Sequence, residues 1–236
     1  MTSKAGQKCT AIRRVIVPRH MEAAVCDTMV ERLRAVVVGD PADATVTMGP
    51  LVSSSQRHMV ETGIDSLSSK SEVVFRGNQG DVVAADAVRG AFVGPVLLRA
   101  SADFALPHQL EVFGPVATVI SYSEADEAFG LAREGGGSLT ASVFSADEAF
   151  LANAVVQLGA SHGRLLLVDS SIVNSHTGHG IVMPSCTHGG PGRAGGGEEL
   201  GGWRGLWLYH QRTAIQASKP LVAHLQRSSV NPASST

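Results

Sequence analysis

The chain has 236 residues, 44% of them apolar and 17% charged, the composition of a soluble globular protein with room for one sizeable domain. A net charge of −2 supplies no basic footprint for nucleic acid, and no apolar run approaches the eighteen or so residues that span a bilayer. The three cysteines, Cys9, Cys26 and Cys186, are odd in number and far apart, and the N-terminus lacks the pattern of a signal peptide, which together predict free thiols and a cytoplasmic location.

In chain order, the glycine-containing turn at Gly6 leads into Cys9 and then into Arg13-Arg14-Val15-Ile16-Val17-Pro18, a β-branched run stopped by proline. Apolar residues at near-helical spacing (Ala24, Met29, Val30, Leu33, Val37) predict a helix from His20 to Val38, ended by Gly39-Asp40-Pro41. A Pro-, Gly- and Thr-rich loop follows to Leu51, and Ser53 with Gln56 three residues on predicts a capping box opening a second helix. Glu72–Phe75 reads as a short strand and Gly77–Gly90 as a polar excursion. Phe92–Leu98 reads as a strand bent at Gly94-Pro95, and Val116–Ile120 as a buried strand. Ser123 with Asp126 and Ser145 with Glu148 predict two more helices, with Thr140–Phe144 as a strand between them.

Leu165-Leu166-Leu167-Val168 is a continuous apolar run, expected in a parallel sheet covered on both faces. From Ser170 to Gly202 the chain is rich in Gly, Ser and His without periodicity, so a loop is predicted, long enough to be functional or disordered. Leu206–Gln216 regains strand character, and residues 218–236 read as a polar, disordered tail. Alternating strands and helices predict an α/β fold with an open, mostly parallel sheet covered by helices.

Cys9, at the mouth of a strand and beside Lys8, Arg13 and Arg14, is a candidate nucleophile, because the thiolate is the attacking form and nearby cations favour it. Read alone it is far more often a small buried hydrophobe. Glu111 before a buried strand reads alone as a solvated or capping residue, and Phe113 between Val112 and Gly114 as core. His176, His179, Cys186 and His188 invite a metal reading, but Cys-x-His without a second close pair lacks the zinc pattern, so no metal is expected. The run Gly195-Gly196-Gly197-Glu198-Glu199 has no Gly-Lys-Ser/Thr ending and is not a P-loop.

The words Gly6-Gln7-Lys8-Cys9-Thr10-Ala11 and Glu111-Val112-Phe113-Gly114-Pro115-Val116, in this order, resemble the two catalytic signatures of the aldehyde dehydrogenase superfamily. The resemblance continues through Gly135–Ser142, Thr177–Gly180 and His188–Gly202. These later words look most like the phenylacetic-acid-degradation branch, whose members oxidise ring-opened semialdehydes carried as coenzyme A thioesters. It implies a catalytic domain over residues 1–205, an oligomerisation strand over 206–217 and the tail beyond. It further implies Cys9 as the nucleophile, with its backbone N–H helping to hold the oxyanion, and NADP or NAD as cofactor. Glu111 would then hydrogen-bond the nicotinamide ribose, Phe113 pack near the nicotinamide, and the Gly-rich loop wall the substrate tunnel with Glu198 and Glu199 in the first turn of a short helix. In that family a longer N-terminal half, with the dinucleotide-binding domain and the general-base glutamate, precedes the nucleophile. The resemblance therefore implies a catalytic half that is inactive alone, acting as a homo-oligomer or with a companion chain that carries the other half. Two further readings stand beside it: a cysteine-dependent esterase or thioesterase, and a non-catalytic subunit-association domain.

Overall fold

The computed structural model describes residues 1–77, 80–181, 188–195, 203–207, 209–211 and 213–230. The chain divides into two units, Met1–Leu200 and Gly201–Thr236.

The first unit is built on two adjacent apolar strands, β3 (Val96–Ala100) and β4 (Val116–Tyr122), which pair in parallel with Val96 opposite Val116. β1 (Arg14–Pro18) joins β4 in parallel and β2 (Glu72–Arg76) joins β3 antiparallel, giving the order β1-β4-β3-β2. Alternation along β3 sorts its side chains between two layers. Val96 and Leu98 pack with Val60, Ile64 and Leu67 of helix α2 (Ser54–Ser68). Leu97 turns to the opposite cluster, with Cys26 and Leu33 of helix α1 (Glu22–Arg34). Both faces are thus covered, which is why β3 is apolar over Val96–Leu98 and β4 is buried throughout Val116–Ile120, with Thr118 its one polar residue there.

α2 opens as expected, with the Gln56 N–H donating to Ser53 Oγ at 3.2 Å. α1 is shorter than the periodicity predicts. A 3₁₀ turn covers Arg19–Met21 and the helix stops at Arg34; the β-branched Val36-Val37-Val38 instead turns extended, with Val38 bridging Met48 and Gly39 bridging Val83. The short helix α3 (Leu106–Gln109) follows β3.

After β4 come helix α4 (Ala125–Arg133), strand β5 (Ser138–Phe144), helix α5 (Glu148–Leu158) and strand β6 (His162–Val168), with β5 and β6 paired in parallel as a separate two-stranded sheet. Both helices start later than the serines suggest. Asp147 caps α5, its Oδ1 accepting from the Ala149 and Phe150 N–H groups, while Ser145 Oγ accepts from the Asp147 N–H. α4 has Glu124 at its N-cap, and Glu127 reaches back to the Ser123 N–H at 2.7 Å. Phe129, Ala154 and Leu158 form the contact between the two helices, with the Phe129 and Phe150 rings stacked 5.3 Å apart. Leu165, Leu166 and Leu167 are only half-buried, contrary to the expectation of a strand covered on both faces, because a two-stranded sheet lacks the flanking layers of the larger one.

In the second unit, Trp203–Trp207 forms helix α6 and Lys219–Val230 forms helix α7. No described residue of 206–217 lies in a strand. The chain closes local turns there, Tyr209 N–H to Leu206 O and His210 N–H to Trp207 O. α7 replaces most of the expected polar tail: Pro220 sits in its first turn, where a missing N–H is harmless, and Leu221, Val222 and Leu225 recur at helical spacing.

Candidate active site

The two signature words meet in space through glycine. Lys4, Ala5 and Gly6 all have positive φ (52°, 52° and 75°), so the chain makes a left-handed turn just before Cys9. Gly6 there lies directly on the Gly114-Pro115 backbone, and a Cβ on it would stand 2.0 Å from the Gly114 carbonyl oxygen. Gly114 in turn fits under Val60, and Val112 fills the space that a Cβ on Gly63 would take, so α2 supports the second word from below. Lys4 and Ala5 lack glycine's freedom; holding them left-handed costs about 1–2 kcal/mol each, strain of the kind concentrated at functional sites.

Gln7 ties the first word to α2. Its side chain accepts from the Val52 N–H at 2.9 Å and donates to Gln56 Oε1 at 3.3 Å, so Gln56 serves this contact as well as the helix start. Phe113 is 40% exposed and lines, with Lys4, Ala5, Gln7, Val52 and Gln56, an open cleft of about 890 Å³. Glu111 is also exposed, its carboxylate 3.7 Å from the Arg13 guanidinium. One wall of the cleft therefore carries an aromatic face, with a carboxylate two residues away in the chain.

Cys9 is exposed, and the side chain meeting its sulfur is His188, with Sγ and Nε2 3.8 Å apart. His188 itself is buried. Of the basic neighbours in sequence, Arg13 turns to Glu111 and Arg14 turns inward, donating to the Leu131 and Ala132 carbonyls and to His108 Nδ1 at 2.7 Å. The Arg14 guanidinium is pushed down to about 10, chiefly by burial and then by Arg13, and remains a cation at neutral pH. Burial, and next Arg14, lower the His108 imidazole, so its ring is neutral at pH 7, with Nε2 3.6 Å from Glu134.

The Gly-rich loop is placed by backbone contacts. Arg193 N–H donates to Gly136 O at 3.0 Å, and His179 Nε2 lies 2.8 Å from the Thr10 carbonyl, one residue beyond Cys9. Thr177–Gly180 and His188–Gly195 thus both border the Cys9 turn or the strands beneath it, as the spacing of the signature words implies. Cys186, Glu198 and Glu199 lie outside the described residues. Among the described residues no three His, Cys, Asp or Glu side chains gather around a cation-sized space. Sequence reasoning weighed His188 only as a metal ligand and missed it as the neighbour of Cys9; the only local signal was the Gly189-Gly190 pair after it, which lets the backbone pack closely.

Residues 1–212 match the model of the aldehyde dehydrogenase family. The chain is 45% identical over 194 residues to the 3,4-dehydroadipyl-CoA semialdehyde dehydrogenase of Aromatoleum evansii, covering 81% of this chain and 38% of that protein. It is 41% identical to protein MaoC of Klebsiella aerogenes, covering 75% of this chain and 52% of that one. The fold superposes with a TM-score of 0.73 and 26% identity on a betaine aldehyde dehydrogenase of Staphylococcus aureus solved with NAD+, over 87% of this chain and 39% of that one. The chain therefore spans about half or less of the length of each of these relatives. With the two signature words packed on one another around Cys9, and the match running through all of the first unit and into the second, the chain belongs to the aldehyde dehydrogenase family.

Proposed function

We propose that the chain is the catalytic half of an NAD(P)-dependent dehydrogenase that oxidises a CoA-linked semialdehyde of aromatic-acid breakdown to the acid, with Cys9 as nucleophile. The observation that carries this reading is the contact of Gly6 with Gly114-Pro115, which joins the turn presenting an exposed thiol to the word bearing Glu111 and Phe113. The CoA-linked substrate is suggested by the name of the relative from Aromatoleum evansii.

Cys9 Sγ attacks the aldehyde carbon and forms a thiohemiacetal, the Cys9 backbone N–H helping to hold the oxyanion. In this reading the nicotinamide end of a dinucleotide would enter the open cleft and stack on the exposed Phe113 ring, and the Glu111 carboxylate, outside the cleft lining but exposed two residues earlier, would accept from ribose hydroxyls. NADP or NAD, when bound, supplies the two-electron acceptor that turns the thiohemiacetal into a thioester. Water then releases the acid and restores the Cys9 thiol. Lys4, Ala5 and Gln7 shape the rim of the cleft, and the Gln7 bonds to Val52 and Gln56 keep that rim on α2.

Glu111 and Phe113 can grip only one end of a dinucleotide, so the 236-residue chain by itself is expected to reduce NADP or NAD slowly or not at all. The test is therefore placed on the nucleophile. Pre-incubation with a CoA semialdehyde of the dehydroadipyl class should protect Cys9 from iodoacetamide, and dilution should restore its reactivity. A Cys9 that alkylates equally fast with and without the semialdehyde would defeat this reading, and rapid NADPH production by the chain alone would defeat the half-enzyme part of it.

A further inference from the structure

We propose that His188 is the proton partner of Cys9. This rests on the reading of Cys9 as the nucleophile. The contact itself is direct, Sγ to Nε2 at 3.8 Å, between an exposed thiol and a buried ring. At that separation the pair is within hydrogen-bond reach for sulfur.

Both ends of the pair are held by backbone. On the His188 side, the Gly189 carbonyl oxygen occupies the space of a Cβ on Gly163, at 1.6 Å, so the loop rests on β6 where only glycine allows it. Gly190 packs against the Ser138 carbonyl of β5, and its N–H donates to Gly195 O at 2.9 Å. On the Cys9 side, Gly6 sits on Gly114-Pro115 and the Thr10 carbonyl meets His179. Two fixed backbones therefore bring Sγ and Nε2 together, rather than two side chains free to wander.

The other candidates nearby have different work. His179 Nε2 faces the Thr10 carbonyl, so that nitrogen carries its proton and donates; it has no lone pair to offer a thiol. His176 Nδ1 accepts from the Gly178 N–H. Glu111 faces Arg13.

The step balances without a further reagent. As Sγ bonds to the aldehyde carbon, the thiol proton moves to His188 Nε2 and the C=O π pair moves to oxygen. The imidazolium then returns the proton to that oxygen, leaving a neutral thiohemiacetal and a neutral His188.

The experiment compares Cys9 alkylation by iodoacetamide in the full chain and in His188→Asn and His188→Gln, read by mass spectrometry of the Cys9 peptide. At about pH 6.5 a thiol without a partner is almost wholly protonated, whereas at about pH 9.5 it ionises unaided. Each variant should therefore lose roughly tenfold or more in rate at the lower pH and change by less than about twofold at the higher one. Lys8, Arg13, Arg164 and His179 stand on the segments around the pair and are unchanged in both variants. A change in the ratio of the two rates thus reports on His188. Equal ratios in wild type and both variants would overturn the proposal, whether the absolute rates stay the same or fall together. Unchanged Cys26 labelling certifies that a variant is folded, and Gln keeps the proposal open to test if Asn disturbs the loop. If the semialdehyde protects Cys9 and the ratio does not move, only the role of His188 fails. If the ratio moves and the semialdehyde gives no protection, the pair stands and the dehydrogenase reading falls.

Discussion

Gly6 and the two described cysteines, Cys9 and Cys26, carry the sharpest expectations about single residues. Gly6→Ala combines a positive φ with a Cβ 2.0 Å from a backbone oxygen that has no room to retreat. It should destabilise the first unit by about 3 kcal/mol or more, seen as a lowered urea midpoint, and should slow Cys9 labelling through a displaced turn. A Gly6→Ala variant as stable as wild type would mean that the two signature words are not in contact. Cys9 and Cys26 differ in both accessibility and chemistry: Cys26 is 4% exposed, and burial pushes its thiol up. Cys9 should alkylate at least about tenfold faster than Cys26 in the folded chain, and partial labelling followed by mass spectrometry would expose the reverse order.

Among the elements, α5 shows how a helix start is assigned by contact rather than by residue type. Ser145 and Asp147 are both acceptable caps, and the structure uses Asp147 for the helix while Ser145 accepts from the N–H of Asp147 itself. Asp147→Ala should therefore reduce stability by about 1 kcal/mol in denaturant titration, and Ser145→Ala by clearly less. Equal losses would move the cap to Ser145. β3 and β4 were legible as strands because both faces are covered and they carry mostly apolar residues, Val96–Leu98 and Val116–Ile120. The limits of α1 were not, since Val36–Val38 continue the apolar pattern of the helix while their backbone groups pair with the segment at Met48 and Val83.

For the whole molecule, two expectations concern assembly and pH. Trp203, Tyr209 and Ile215 are 79%, 88% and 66% exposed in the second unit. We expect this surface to be covered by a second copy or by a companion chain. Light scattering should report a dimer or larger species, and Ile215→Lys should weaken it; a stable monomer of the wild type at micromolar concentration would remove the idea. His108 and His162 are buried, and burial lowers both imidazoles below the ordinary value of about 6.5. Above about pH 6.5 they are neutral in folded and unfolded chains alike; below it the unfolded chain binds protons first. Stability of the first unit should thus fall as pH drops from about 6.5, with each histidine adding at most about 1.4 kcal/mol per pH unit. Urea titrations at neutral and mildly acid pH test the sign, and a chain more stable at the acid end would refute it.

The six strands of the first unit with their longer helices, the α/β class and the family were legible in residue types, because strand burial and signature words are local patterns that survive without coordinates. Cys9 was legible as a candidate nucleophile, since a cysteine between Gly-Gln-Lys and Thr-Ala is a contiguous word. What only the tertiary structure decided were relations between distant residues. His188 stands 3.8 Å from Cys9 because Gly189 rests on Gly163 and Gly6 on Gly114, contacts between backbones with no side chain to announce them. Arg14, adjacent to Arg13 in sequence, points into the protein toward His108 instead of toward the thiol, because alternate residues at a strand start face opposite sides. Residues 206–217 carry strand-forming side chains, but a strand exists only where a neighbour supplies its hydrogen bonds, and that condition lies outside any reading of residue types along one chain.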